Sequence, residues 1–386
     1  MGCTAFGSAP VVAADGTVFA ADSKKLLRVS LGNSYTFTTL LTEAMPISPV
    51  FIETETITQQ LFLATKHITP ELGAPIYLYD VVSLTLLSHL NLTVEGDRFE
   101  TRNTPGRYGN RFYVSASGIA DQTEGRLFAV DVFTDTTMQI AWGDEDYGES
   151  ETSFIATPLT LTTLLEYIGP SGASPLVFSP VPPTYPNPIV LFDGGLHVEG
   201  ETIPHIIAVE DDPNGPEILW TRPMSGVMAT SFALDLRDMG TGKETMWTFT
   251  RWAKDETPVY ADHKYLYRIS IANGALMGDP IDINDMVQEE GTYVPSSAIS
   301  IAGAESNPVL IVSASKFVRN NGIDYPVSTY VLAIDLIGED DEPELLWKVA
   351  TPYTTGQYPM IVDGNERALV FATTWGKGVR VIAREQ

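Results

Sequence analysis

Cysteine is nearly absent from this chain of 386 residues: there is one, Cys3. No intrachain disulfide can form, so the framework must hold by packing, and the redox compartment stays open. Basic residues are also scarce. Lys and Arg number 23 against 49 Asp and Glu, a net charge of −26, which repels nucleic acid and anionic membrane surfaces. No nucleic-acid partner is expected. No apolar run approaches the ~18 residues of a membrane span, so membrane insertion is not expected either. No charged start followed by an apolar stretch marks a signal peptide. Met1-Gly2-Cys3 is only superficially a myristoylation start, because Phe6 stands where Ser or Thr belongs. A strand-rich unit begins almost at once and leaves no room for a leader. The start therefore reads as that of a secreted chain whose leader has been removed, and the acidity suits an extracellular or acidic setting.

Chemical signatures are missing too. The five histidines, His67, His89, His197, His205 and His263, show no zinc-type spacing. The acidic runs at 143–146 and 338–342 lack the alternating ligands and glycine of a calcium loop. No Gly-x-Ser-x-Gly occurs in a strand-to-helix setting. No metal and no cofactor are expected on these grounds. Nor does any stretch carry a helical apolar period.

Short strands are abundant. "PVVAADGTVFAADSKKLLRVSL", residues 10–31, writes three apolar runs separated by Asp15-Gly16 and Ser23-Lys24-Lys25, the pattern of three successive antiparallel strands. The third run recurs as "IYLYDV" at 76–81, "RLFAVDV" at 126–132, "HIIAVED" at 205–211, "YLYRISI" at 265–271, "YVLAIDL" at 330–336 and "GVRVIAR" at 378–384. A second run precedes each, for example "LFLATKH", "RFYVSAS", "TMWTFTR" and "VLIVSAS". A fourth often follows and ends in tryptophan, as in "MQIAW", "EILW" and "ELLW", with Trp142, Trp220 and Trp347. Four short strands repeated at roughly 50 residues describe propeller blades. The expectation is an all-β fold: a single β-propeller over 1–386, built of four-stranded antiparallel blades. Seven blades are expected, with six or eight open, and with loop insertions around 145–175 and 249–263. The last unit stops after its third strand, and "CTAFG" at 3–7 could supply the missing one, since a ring must close without a free edge.

The units "APVVAADGTVFAADSKKLLRVSL", "GNRFYVSAS...GRLFAVDV...MQIAW" and "STYVLAIDL...ELLWKV" resemble the repeat of the PQQ-like, or quinoprotein-type, propellers, across nearly the whole chain. The resemblance implies either a pyrroloquinoline quinone dehydrogenase or a cofactor-free scaffold such as an outer-membrane assembly lipoprotein. The dehydrogenases use a calcium site and often a cysteine-pair platform, and vicinal cysteines are absent here. Asp80, Asp131 and Asp335 end third strands at equivalent repeat positions, which turn capping explains more simply than metal binding.

Aromatic loops point elsewhere. The stretch 152–204 is rich in proline, which stiffens loops at low entropic cost, and rigid apolar loops over a propeller face can roof a small-molecule pocket. Phe178 and Tyr185 lie in it, and Trp252, Tyr260 and His263 form a second cluster. Tyr353, Gln357 and Tyr358 precede the last inner strand. The expected substrate-binding residues are Phe178, Tyr185, Trp252, Tyr260, Tyr353 and Gln357; Arg102, His263 and Tyr358 are the expected catalytic groups. The partner is then an apolar small molecule, and self-assembly into a homo-oligomer is left open. Asn91-Leu92-Thr93 is a glycosylation acceptor at Asn91. Acidity, sequon and aromatic loops together are similar to what secreted fungal propeller hetero-Diels–Alderases would need, though no motif carries that analogy and no residue role is transferred. The competing reading is a non-catalytic interaction scaffold, with a quinone dehydrogenase third.

Overall fold

The computed structural model describes residues 11–12, 18–22, 25–29, 44–52, 60–67, 69–101, 104–120, 125–143, 174–198, 201–224, 227–228, 232–235, 237, 241–251, 263–297, 299–304, 307–320, 323–337, 342–351, 360–364, 367–374 and 378–383. The chain divides into two compact units, Met1–Pro223 and Met224–Gln386. Among the described residues the strands group into seven antiparallel sheets, four in the first unit and three in the second. Each of the seven recurrent third-strand segments falls in a different sheet. Among the described residues one short α-helix, Ile283–Val287, is capped by Asp282, whose side chain accepts from the Asn284 N–H.

The alternation of side chains explains how the sheets of the first unit stack. Successive residues of a strand point to opposite faces. In the strand Gln60–His67, Phe62 packs with Phe112 and Val114 of the next sheet. Leu61 and Leu63 turn the other way, onto Phe19 and Leu26 of the preceding one. The Phe62 and Phe112 rings stack at 3.9 Å. Arg111–Gly118 repeats the arrangement: Phe112 and Val114 face back, and Tyr113 faces forward onto Val190 and Phe192. Second strands are thus covered on both faces, which is why they read as near-continuous apolar runs. Outer strands are covered on one side only and alternate, as in Met138–Trp142 and Glu344–Thr351. In the second unit the Thr245–Arg251 sheet packs on the Asn307–Asn320 sheet through Trp247, Phe249, Leu310 and Val312.

The terminal tryptophan has a structural cause. Ala129 pairs with Trp142 and Val130 with Ile140, so Ala141 is an extra residue that bulges the outer strand. Leu219 does the same between Ile218 and Trp220, opposite Ala208, and Leu346 between Leu345 and Trp347, opposite Ala333. A bulge re-aims the next side chain, and the alanine beneath leaves room for the indole. The second sheet inverts the sizes, with Leu78 opposite Ser88.

Innermost strands are interrupted. Asp97–Thr101 and Gly106–Tyr108 both pair with Arg111–Gly118, Val227–Met228 and Ala233–Asp235 with Thr245–Arg251, and Val294–Pro295 and Ser300–Ala304 with Asn307–Asn320. In Ala44–Ile52 the equivalent place is a register shift between Pro46 and Ser48. Proline is tolerated in such an edge strand because its missing N–H costs no ladder bond.

Candidate functional site

Second strands change character along their length. "LFLATKH", "RFYVSAS", "TMWTFTR" and "VLIVSAS" begin apolar and end in hydroxyls. Thr65, Ser115, Ser117, Thr248, Thr250, Ser313 and Ser315 are all buried. In these four sheets polar groups therefore gather at the end where the second strand meets the third.

In the first unit this end holds a carboxylate–imidazole pair. Glu100, on the interrupted inner strand of the third sheet, is fully buried. It accepts the His67 backbone N–H at 3.1 Å and is hydrogen-bonded through Oε2 to His67 Nδ1. Lys66 Nζ lies 3.9 Å from its other oxygen. His67 and Lys66 end the second strand of the neighbouring sheet, so the pair spans two sheets. The His67 side chain is 14% exposed. Nearby, Arg126 stands 5.9 Å over the Phe99 ring, and Thr65 Oγ1 donates to the Pro75 carbonyl at 2.6 Å.

In the second unit the same end is a chain of hydroxyls. Ser296 Oγ and Ser315 Oγ are 2.7 Å apart, and Ser315 Oγ and Thr329 Oγ1 2.8 Å. Ser297 Oγ accepts the Ser313 N–H at 2.8 Å. His263 is buried, its Nδ1 3.3 Å from Thr250 Oγ1.

Two other buried carboxylates, Asp211 and Asp235, are committed to packing. Asp211 accepts both oxygens' worth of bonds: Arg111 Nη1 at 2.9 Å to each, Tyr113 OH at 2.5 Å and Trp142 Nε1 at 2.9 Å. Burial, then the hydrogen bond to Asp211, pushes the Tyr113 phenol well above the ordinary tyrosine range. Asp235 is held by Arg237 Nε at 2.8 Å, by Trp247 Nε1 at 2.9 Å and by Arg268 Nε at 3.2 Å. Burial alone would raise its carboxyl, but the hydrogen bonds and charge of Arg237, with Arg268, hold it below the usual carboxylate range.

Of the three aspartates expected to cap turns, two do so. Asp80 accepts Ser83 N–H and Oγ at 2.6 and 2.7 Å, and Asp335 accepts the Ile337 N–H at 2.9 Å. Asp131 instead forms a two-point ion pair with Arg111, at 2.6 and 2.8 Å, because its strand lies directly across from that guanidinium.

The expected site residues fare unequally. Phe178 sits on the inner strand Leu176–Phe178 and is fully buried; Tyr185 is 7% exposed. Their rings meet edge to face at 5.2 Å, closing the 179–188 connection onto its own sheet. These two aromatics were expected in an exposed roof. Their faces are turned to each other instead, because a short proline-stiffened turn needs an apolar plug more than it needs a free surface. They lie where the first strand meets the second, whereas His263 lies where the second meets the third. Arg102, Trp252, Tyr260, Tyr353, Gln357 and Tyr358 lie outside the described residues. Asn91 is exposed, in the one-residue link between Leu86–Leu90 and Leu92–Val94. Sequence reasoning passed over His67 and Glu100 because their 33-residue separation matches no motif; the sole trace is an acid and a histidine at the ends of apolar runs.

Among the described residues no group of three or more His, Cys, Asp or Glu gathers as metal ligands would, and no helix is long and apolar enough to cross a membrane. No family model matches the chain, and no curated protein matches its sequence. Solved structures do match in fold. A europium-containing methanol dehydrogenase aligns over 100% of this chain and 80% of its own, with TM-score 0.51 and 11% identity. The dihydro-heme d1 dehydrogenase NirN, in complex with DHE, aligns over 99% of this chain and 64% of its own, with TM-score 0.52 and 11% identity. BamB from Moraxella catarrhalis aligns over 99% and 97%, with TM-score 0.47 and 12% identity. Glu100, Asp211 and Asp235 are each engaged by His or Arg side chains, and fully buried Glu244 accepts the Gly242 N–H at 3.2 Å. Strand repeat, the stacking of sheets within each unit and the alignments to the two dehydrogenases show a β-propeller fold.

Proposed function

We propose that this propeller is a secreted, cofactor-free protein that binds an apolar, oxygen-bearing small molecule at the polar end of the sheets of its first unit and promotes its cyclisation, in the manner of a hetero-Diels–Alder catalyst in natural-product biosynthesis. The observation that supports it is the gathering, within that unit, of buried Thr65, Ser115 and Ser117 with the His67–Glu100 pair at one end of sheets that are otherwise apolar. Such a contrast suits a ligand with a hydrocarbon body and one or two oxygens. Apolar burial, at roughly 25 cal/mol per Å², would hold the body. Near-attack geometry, with a proton donor beside a leaving hydroxyl or carbonyl, is sufficient for cycloaddition.

The neutral dye prodan, apolar with one carbonyl, is the test. It is expected to bind with a blue-shifted emission and a micromolar Kd, unchanged by EDTA. No emission shift at 100-fold protein excess would sink the reading. Asn91, exposed in its link, belongs to the same reading: expression through a eukaryotic secretory route should add a glycan that N-glycosidase removes and Asn91→Gln abolishes.

A scaffold role has one observation in its favour. The hairpin of Asn307–Asn320 and Ile323–Asp335 is the longest described, and it leaves Val318 48% and Val327 57% exposed. That reading takes over if prodan does not bind.

A further inference from the structure

We infer that His67 and Glu100 form a reactive imidazole–carboxylate pair, the proton-transfer element of the binding site, with Nε2 as the atom that meets a ligand oxygen. The inference rests on the small-molecule reading above for its ligand, but not for the pair itself.

The geometry carries it. Glu100 is fully buried, and burying an ionised carboxylate costs several kcal/mol unless it is paired and hydrogen-bonded. Two bonds from one residue serve Oε2, the His67 N–H fixing the strand end and Nδ1 the ring, while Lys66 Nζ lies 3.9 Å from Oε1. A latch between sheets would need only the first, and an amide side chain could accept it. The second bond gives the imidazole a defined tautomer, with Nδ1–H donated to the carboxylate and the Nε2 lone pair turned outward. Among the described residues no hydrogen-bond partner of Nε2 is found, and the side chain keeps 14% of its surface. The charged groups facing the ring are Glu100, Lys66 beyond it, and Glu71, whose carboxyl is held below its usual range first by its own backbone N–H and then by Thr69, with His67 a smaller contributor.

Glu100 is a positioning residue, and its role can be read without a natural ligand. Diethyl pyrocarbonate, which acylates neutral imidazole nitrogens, is applied to the intact chain at pH 7 and the adducts are mapped by peptide mass. His67 is expected to react at least as fast as exposed His89, and far faster than buried His205 and His263. Glu100→Gln should slow His67 about 5- to 10-fold and leave His89 unchanged. If His67 reacts no faster than His205, or if Glu100→Gln leaves its rate untouched while the variant keeps its β-type circular dichroism, the pair is not reactive. Should the variant not fold, ring nitrogen–hydrogen correlation spectra of the unaltered protein decide: the Nδ1–H tautomer at His67 supports the pair, and the Nε2–H tautomer overturns it. Prodan separates the two claims. Dye that binds and protects His67 supports both. Dye that binds without protecting His67 removes the pair from the site while the small-molecule reading survives. Absence of dye binding with a reactive His67 sinks the small-molecule reading and leaves the pair standing.

Discussion

Asp235 shows how one residue ties stability to pH. Its carboxylate gathers Arg237, Arg268 and Trp247, and its carboxyl sits below the ordinary range in the folded chain. A group whose folded pKa is depressed contributes stability above its unfolded value, near 3.8, and loses it as pH falls through the folded value. The thermal midpoint should therefore fall between about pH 4 and pH 2, and Asp235→Asn should flatten that fall while lowering the midpoint at pH 7. A pH profile identical in the variant would refute the assignment. Asp211 likewise gathers three side chains, but one of them is the buried Tyr113 phenol in place of a second guanidinium. Asp211→Ala leaves a buried phenol and a buried indole short of an acceptor, while the part-exposed Arg111 keeps Asp131, and about 2–5 kcal/mol of destabilisation is expected in urea titrations. Neither hub is visible in sequence: Asp211 sits at the expected strand end, but Arg111 is 100 residues away.

At the scale of the element, the repeated motif proves to be a packing device. "AVD" followed by "IAW", "AVE" by "ILW" and "AID" by "LLW" each place a small alanine under a tryptophan that a bulged residue has re-aimed. Ala129→Leu or Ala208→Leu should overpack this spot by about 1–3 kcal/mol, whereas deleting the bulge residue Leu219 should cost more, because every residue beyond it would change face. If chemical denaturation finds Ala208→Leu neutral, the indole is not seated as described. The strands themselves were legible from β-branched and aromatic runs closed by turn residues. Their interruption on the inner edge was less so: Ser48-Pro49, Thr104-Pro105 and Ser174-Pro175 mark it in sequence, but the break follows from how two short strands share one neighbour.

For the whole molecule, each of the seven repeat marks falls in its own sheet, four in Met1–Pro223 and three in Met224–Gln386. The residues that were expected to converge on one pocket are a different matter. Phe178 and Tyr185 close on each other, and His263 is packed beside Thr250, so the aromatic content of a loop is no guide to which way its rings face.

What the sequence alone determined is the set of features that depend on near neighbours along the chain: strand period, turn chemistry, the repeat, the acidic balance and the hydroxyl-rich ends of second strands. Each follows from backbone geometry and local composition, so a quoted segment is enough to read it. What only the tertiary structure decided is which distant groups meet. Glu100 finds His67, and Asp211 finds Arg111, Tyr113 and Trp142, because adjacent sheets stack face to face. A buried charge can take any partner that stacking delivers. Its identity is therefore set by the register between sheets, which no single segment of the chain encodes.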